Sequence, residues 1–133
     1  MNDESRSMNH EGKIKNFTDL NTWREGHKLA LAIYRTTGKF PISERFSLAD
    51  QMRRASVSVT SNVAEGFSRN STKDKVHFYN LAQGSITELQ NQLILSRDLK
   101  YLPRQTFEEL LQQTTTVQKL LSGLVKATRN LNP

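Results

Sequence analysis

A chain of 133 residues with no cysteine is long enough for one domain and too short for two, and it excludes disulfides, thiol chemistry and the cysteine-rich zinc sites. Its 35% hydrophobic and 24% charged residues suit slender helices that each bury a stripe, while a formal charge of +6 and a pI near 9.8 favour a polyanionic partner wherever the excess gathers on one surface. No run approaches the ~20 apolar residues of a membrane span and the opening residues lack the apolar segment of a signal peptide, so no membrane association and a cytoplasmic location are the expectation.

Met1 to Asn16 is polar and aperiodic, mixing Asp3, Glu4 and Glu11 with Arg6, Lys13 and Lys15; it reads as a flexible tail over 1–16, ahead of a domain over 17–131. The first periodic segment places Leu20, Trp23, His27, Ala30, Tyr34 and Thr37 at spacings of three and four, one face of a helix. Gly38 ends it, and Phe40-Pro41 fixes the connection. Ser47, with Asp50 three residues on, can cap a second helix that carries Leu48, Met52, Ala55, Val59, Asn62 and Gly66. Ser56 to Thr60 alternates with period two and is also compatible with a strand; the longer 3.6-residue period around it and the lack of a partner strand favour helix. Gly66-Phe67 reads as a left-handed C-cap.

Ser71 and Asp74 repeat the capping pattern for a third helix. Phe78, Leu81, Ala82, Ser85, Leu89, Gln92, Ser96 and Leu99 lie on one face of it, and a second stripe of Tyr79, Ile86 and Leu93 lies about 100° away. If that second stripe, with Val57 or Val63, is not absorbed inside the bundle, it forms an oligomer interface. After Tyr101-Leu102-Pro103, a fourth helix carries Phe107, Leu110, Thr114, Val117, Leu121, Leu124, Thr128 and Leu131 in heptad spacing. Short connections make sequential helices antiparallel neighbours, so the fold class is all-α, an up-down-up-down four-helix bundle.

Candidate chemistry is sparse. No glutamate has histidine three residues later, which the carboxylate-bridged metal sites of bundles require, and His27 and His77 read as structural. Glu65 and Glu88 lack a nucleophile, phosphate loop or oxyanion donors beside them, so no catalytic residue, cofactor or small-molecule substrate is expected. Ser58, Asn62 and Ser85 read as interhelical hydrogen-bonding groups that set register, Gly84 as a point of close backbone approach, and Glu65, next to Gly66, as bracing a helix end or an ion pair with Arg53 or Arg54. Arg53, Arg54, Arg69, Lys73 and Lys75 are expected around one end of the turn between helices two and three. There they form either a basic rim for phosphates or an ordinary solvated surface interspersed with Asp50 and Asp74, since the aromatics that would stack RNA bases mostly fall on apolar seams. Lys119, Lys126 and Arg129 form a weaker basic group on the fourth helix.

Phe17-Thr18-Asp19-Leu20 with Trp23, Ile33-Tyr34, Phe40-Pro41, Glu44, Phe46 and Leu48 resemble the opening of the four-helix-bundle proteins first noticed as reading frames in 23S ribosomal RNA intervening sequences, also called the S23 ribosomal protein family. Gln51-Met52-Arg53-Arg54-Ala55, Ser58-Val59, Asn62-Val63-Ala64-Glu65-Gly66 and Gly84-Ser85 with Glu88-Leu89 are similar to that family's diagnostic core. The resemblance covers about 17–124. Thr60 departs from it, standing where the family often has proline, which bears on a helix kink and not on the fold. The resemblance implies a homopentamer with a basic surface. A related group, the accessory variability determinant proteins of diversity-generating retroelements, implies a pentameric bundle that binds a reverse transcriptase with its RNA. Both imply non-enzymatic binding of RNA or a ribonucleoprotein, and neither supplies catalytic residues. The alternative is a protein-protein interaction scaffold whose charge serves solubility.

Overall fold

The computed structural model describes residues 14–131. Four long helices, α1 (Asn21–Thr37), α2 (Leu48–Ser68), α3 (Thr72–Asp98) and α4 (Arg104–Leu131), are preceded by a 3-10 turn at Phe17–Asp19, and a second such turn, Ile42–Glu44, lies between α1 and α2. Among the described residues there is no strand, and Ser56 to Thr60 is helical. Within the helix Val59 is fully buried and Val57 is 41% exposed, and the Ser56 and Thr60 hydroxyls donate to the carbonyls of Arg53 and Val57 on the preceding turn. The tail expected over 1–16 falls, through residue 13, outside the described residues. Its last part is not tail, because Ile14 packs against the core and the Asn16 side chain caps the Phe17–Asp19 turn.

α1 packs on α2 and α4, α3 packs on α2 and α4, and the seam between α2 and α3 is the most extensive. One hydrophobic core fills the centre, built from Leu29 and Ile33 of α1, Met52, Val59 and Val63 of α2, Tyr79, Ile86, Leu89 and Leu93 of α3, and Val117, Leu121 and Leu124 of α4. Along α4 the predicted heptad seam is buried from Phe107 through Thr128, and only Leu131 is exposed. Hydroxyls on buried faces are satisfied in the same way at Thr37, which donates to the Ile33 carbonyl, and at Thr128, which donates to that of Leu124, each at 2.7 Å.

Two helices present a different face from the one their spacing predicts. α1 buries Thr22, Gly26, Leu29, Ala30, Ile33 and Thr37, whereas His27 and Tyr34 are exposed and Trp23 lies at the edge, stacked on His27 at 4.7 Å. Gly26 decides this rotation. A Cβ there would sit 3.1 Å from Thr60 Cγ2 and 3.6 Å from Val59 Cγ1, so the glycine lets α1 lie close against α2. On α3 the second stripe is absorbed into the bundle and is the core itself: Tyr79, Ile86 and Leu93 are 1%, 0% and 0% exposed, while Leu81 and Leu99 of the first stripe are out in solvent. Tyr79, Ala82, Ile86, Leu89, Leu93 and Ser96 form a continuous three-four ladder, richer in large apolar groups than the rival face with Ser85 and Gln92, so burial favours that rotation. These three residues therefore cannot be the oligomer interface.

The helix ends also differ from expectation. α2 continues past Gly66 to Ser68, and Gly66 serves close approach instead of a left-handed cap: a Cβ on it would meet Tyr79 Cε1 at 2.6 Å and the Lys75 carbonyl at 3.1 Å. Ser47 precedes α2 without capping it. Its hydroxyl donates instead to Glu44 Oε1 at 2.6 Å, and the same carboxylate oxygen accepts from the Leu48 amide at 3.4 Å. Ser71 does cap α3, accepting from the Asp74 amide. α3 ends at Asp98, and two residues on Lys100, with a φ of 63°, lets the Tyr101 amide reach back to the Ser96 carbonyl.

Candidate nucleic-acid interface

The five basic residues expected to form one rim fall into two groups. Arg54 and Arg69 are separated by fifteen positions near opposite ends of one continuous helix, which at 1.5 Å per residue is roughly 22 Å. Arg69, Lys73 and Lys75 surround the α2–α3 turn; Arg53 and Arg54 belong to the other end of the bundle. The separation follows from α2 running unbroken through the serine-rich segment.

At the α2–α3 turn the side chains are largely engaged. Lys75 donates from Nζ to the Phe67 carbonyl at 2.6 Å, with the Gly66 carbonyl at 3.5 Å, and lies 5.2 Å from the Phe67 ring centre. It satisfies the Phe67 carbonyl at the end of α2 and adds to the Arg69 amide on that of Gly66, and burial holds its ammonium below the usual lysine range. Arg69 pairs with Glu65 at 3.3 Å and covers the Phe78 ring at 4.6 Å. Glu65 thus braces the end of α2 through Arg69, and does not pair with Arg53 or Arg54. Lys73 is exposed.

At the opposite end Arg53 ties α2 to α1. Its Nε donates to Thr37 Oγ1 at 2.9 Å, Nη2 donates to the Tyr34 carbonyl at 3.3 Å, and the guanidinium lies over the Tyr34 ring at 4.8 Å. Arg54 pairs with Asp50 at 2.9 Å. The α1–α2 and α3–α4 connections meet here, because Tyr101 donates to Glu44 Oε2 at 2.8 Å and its ring packs on Phe40 at 5.4 Å. Those hydrogen bonds, from Ser47 first and then Tyr101, hold the Glu44 carboxyl below its ordinary value. Arg35, Lys39, Arg45, Arg97, Lys100 and Arg104 all fall in or beside these two connections and are exposed. Asp98 and Glu108 are taken up by Arg97 and Arg104.

This end also holds what the sequence reading missed. Ile42 and Phe46 are 89% and 88% exposed, so aromatics do not all fall on apolar seams, and Arg45 lies 5.9 Å from the Phe46 ring centre. A cavity of about 210 Å³ opens beside them, lined by Thr37, Gly38, Phe40, Pro41, Ile42, Arg45, Ala49 and Arg53. The available signal was negative: Ile42 and Phe46 belong to no helical period, and a large apolar residue outside every period has no core to enter.

The polar groups singled out on the α2–α3 seam have varied surroundings. Ser58 Oγ and Ser85 Oγ are 2.8 Å apart across the two helices, and Asn62 Nδ2 donates to the Ser58 carbonyl at 2.8 Å and its Oγ at 3.1 Å. Glu88 accepts from Gln92 Nε2 at 3.2 Å. Gly84 plays no part in close packing, since nothing lies within 4 Å of where its Cβ would be. The α3–α4 seam has its own polar set, in which Gln90 Nε2 donates to Thr114 Oγ1 at 3.1 Å and Gln118 Oε1 at 3.2 Å, and Gln83 Nε2 reaches the Gln118 carbonyl. Among the described residues, no three His, Cys, Asp or Glu side chains come together as a metal site, and no helix is long and apolar enough to cross a membrane.

Comparison with known proteins adds a family and a fold. The family model described as the 23S rRNA-intervening sequence protein matches residues 18–123. A crystal structure of a protein with unknown function from the S23 ribosomal protein family of Bacteroides thetaiotaomicron VPI-5482 aligns with a TM-score of 0.74 at 22% identity, over 79% of this chain and 95% of that one. At that identity the likeness is one of fold. No curated protein matches the chain.

Proposed function

We propose, for a chain that belongs to the 23S rRNA-intervening sequence protein family, a non-enzymatic role as an oligomeric helical scaffold that binds RNA or a ribonucleoprotein through backbone phosphates. The observation that carries this reading is the gathering of exposed cations where the α1–α2 and α3–α4 connections meet, on a chain of net charge +6. Several carboxylates at that end are occupied by arginine or hydroxyl partners, which leaves Arg35, Lys39, Arg45 and Lys100 to face solvent. Of the residues named from sequence, Lys73 and the outer faces of Arg53, Arg54 and Arg69 remain contributors, and Lys75 contributes least because it caps α2. A ribonucleoprotein containing a reverse transcriptase is one ligand of this chemistry.

The helices run antiparallel, up-down-up-down. This is supported by α2–α3 pairs whose numbers rise on one helix as they fall on the other: Met52 with Ser96, Ser58 with Ser85, and Gly66 with Tyr79. Assembly is as a homopentamer, and with Tyr79, Ile86 and Leu93 inside the core the contact face moves to the outer side of α3. There Leu81, Leu95 and Leu99 are exposed at heptad-like spacing. A ring of copies would repeat the basic end and raise the local positive potential.

RNA affinity measured against salt tests the binding. A net release of several counterions should make log K fall linearly with log salt; binding that is absent at low salt or insensitive to it refutes the reading. Solution mass tests the assembly independently, and a monomer at high concentration removes the pentamer. Copurification with a polypeptide after nuclease treatment, with no RNA affinity, would favour the protein-interaction scaffold instead.

A further inference from the structure

We infer that the corner made by the α1–α2 connection is a single-stranded RNA subsite, in which Arg45 and Arg53 hold a backbone phosphate in the cavity beside Gly38 while Phe46 stacks on a neighbouring base. The inference rests on the RNA-binding reading above and places it at one end of the bundle. Three features of the corner carry it.

The cavity selects an anion. Its charged lining consists of the two guanidiniums and no carboxylate, and the nearest carboxylates in sequence face other partners, Glu44 toward Ser47 and Tyr101 and Asp50 toward Arg54. Arg53 is preorganised for this, since Thr37 and the Tyr34 carbonyl and ring fix its plane while donors remain to it.

Size favours one unit of a chain over a free small molecule. About 210 Å³ is below the ~300 Å³ at which pockets for whole small ligands begin, so the cavity admits a phosphate and leaves its base outside. Outside stand Phe46 and Ile42, 88% and 89% exposed. A bare aromatic beside an arginine is the arrangement on which unpaired bases stack, the arginine adding its own planar face. Bases in a duplex are already stacked on one another and cannot use it. The corner therefore distinguishes single strands from duplexes without reading sequence.

The test measures binding of a fluorescent oligouridylate and of a duplex RNA of the same length to the full chain and two variants, Phe46→Ala and Arg45→Ala. One lost base–aromatic stack, at about 1–3 kcal/mol, corresponds to a roughly 5- to 150-fold weaker single-strand affinity for Phe46→Ala, with duplex binding unchanged. Arg45→Ala should lower the salt slope by about one. Both side chains are exposed, so unfolding temperature serves as the control and should not move. Wild-type affinity for the oligouridylate with both variants unaffected overturns the corner while sparing the broader reading. Equal loss on duplex and single strand overturns the stacking. A fall in the solution mass of Phe46→Ala shows that Phe46 contacts another copy, and likewise overturns it. Absence of wild-type binding to either RNA removes the broader reading and this one together.

Discussion

Gly66→Ala is the sharpest perturbation of the packing described above. The glycine lies inside α2 with no left-handed backbone, so alanine meets no conformational strain, and in an open helix the exchange would stabilise by about 0.5–1 kcal/mol. Here the new methyl would sit 2.6 Å from Tyr79 Cε1, 2.9 Å from Cδ1 and 3.1 Å from the Lys75 carbonyl. Neither neighbour can yield cheaply, because the Tyr79 ring is fully buried and the carbonyl belongs to the first turns of α3. Overpacking of this kind costs about 2–3 kcal/mol, the upper part of its usual range. The net loss is about 1–2.5 kcal/mol, or a fall in unfolding temperature of about 3–12 °C for a domain of this size. Thermal unfolding at a single protein concentration measures it, with Gly84→Ala as the opposite control. That position is exposed, mid-helix and open to 4 Å, so the same exchange should raise stability by about 0.5–1 kcal/mol. A Gly66→Ala protein as stable as the parent, or a Gly84→Ala protein less stable, would refute the account of the α2–α3 seam.

Two further outcomes follow from the helix ends. Lys100→Gly should stabilise by about 1 kcal/mol, because Lys100 holds a φ of 63° that glycine adopts without the Cβ penalty; denaturant unfolding reads the change, and a loss of stability would mean that the lysine side chain does more than terminate α3. Acid should destabilise the fold through Glu44 and Asp19, whose carboxyls are held below their ordinary values by hydrogen bonds, those to Glu44 from Ser47 and Tyr101 and those to Asp19 from the Lys15 and Asn16 amides. A depressed carboxyl binds fewer protons in the folded state than in the unfolded one, so its stabilisation is present above the carboxylate range and is lost as pH falls through it, from about 4.5 downward. Unfolding temperature followed across that window should drop, and Glu44→Gln should blunt the drop; an unchanged acid limb in the variant would remove Glu44 from the explanation.

Helix number, helix limits to within a few residues and the α4 seam from Phe107 to Thr128 were legible in the chain, since each depends on local terms: three-four periodicity, a proline or glycine at a connection, and the hydroxyl of Ser71 at a helix start. The family motif around Asn62 to Gly66 was equally legible, because it is a string of residue types. What could not be read locally is rotation and distance. Trp23, His27 and Tyr34 satisfy the same spacing as Gly26, Leu29 and Ile33, and only the close approach of α2 to Gly26 selects the second set. Tyr79, Ile86 and Leu93 were an extra stripe by periodicity and became the core once α2 and α4 packed against α3. The candidate interface moved for the same reason: fifteen residues of unbroken helix carry Arg54 away from Arg69, while Tyr101 brings the α3–α4 connection onto Glu44 and collects cations from four separate segments at one end. Periodicity specifies that a helix has an inside, but which side that is, and which charges it brings together, depends on partners distant in the chain.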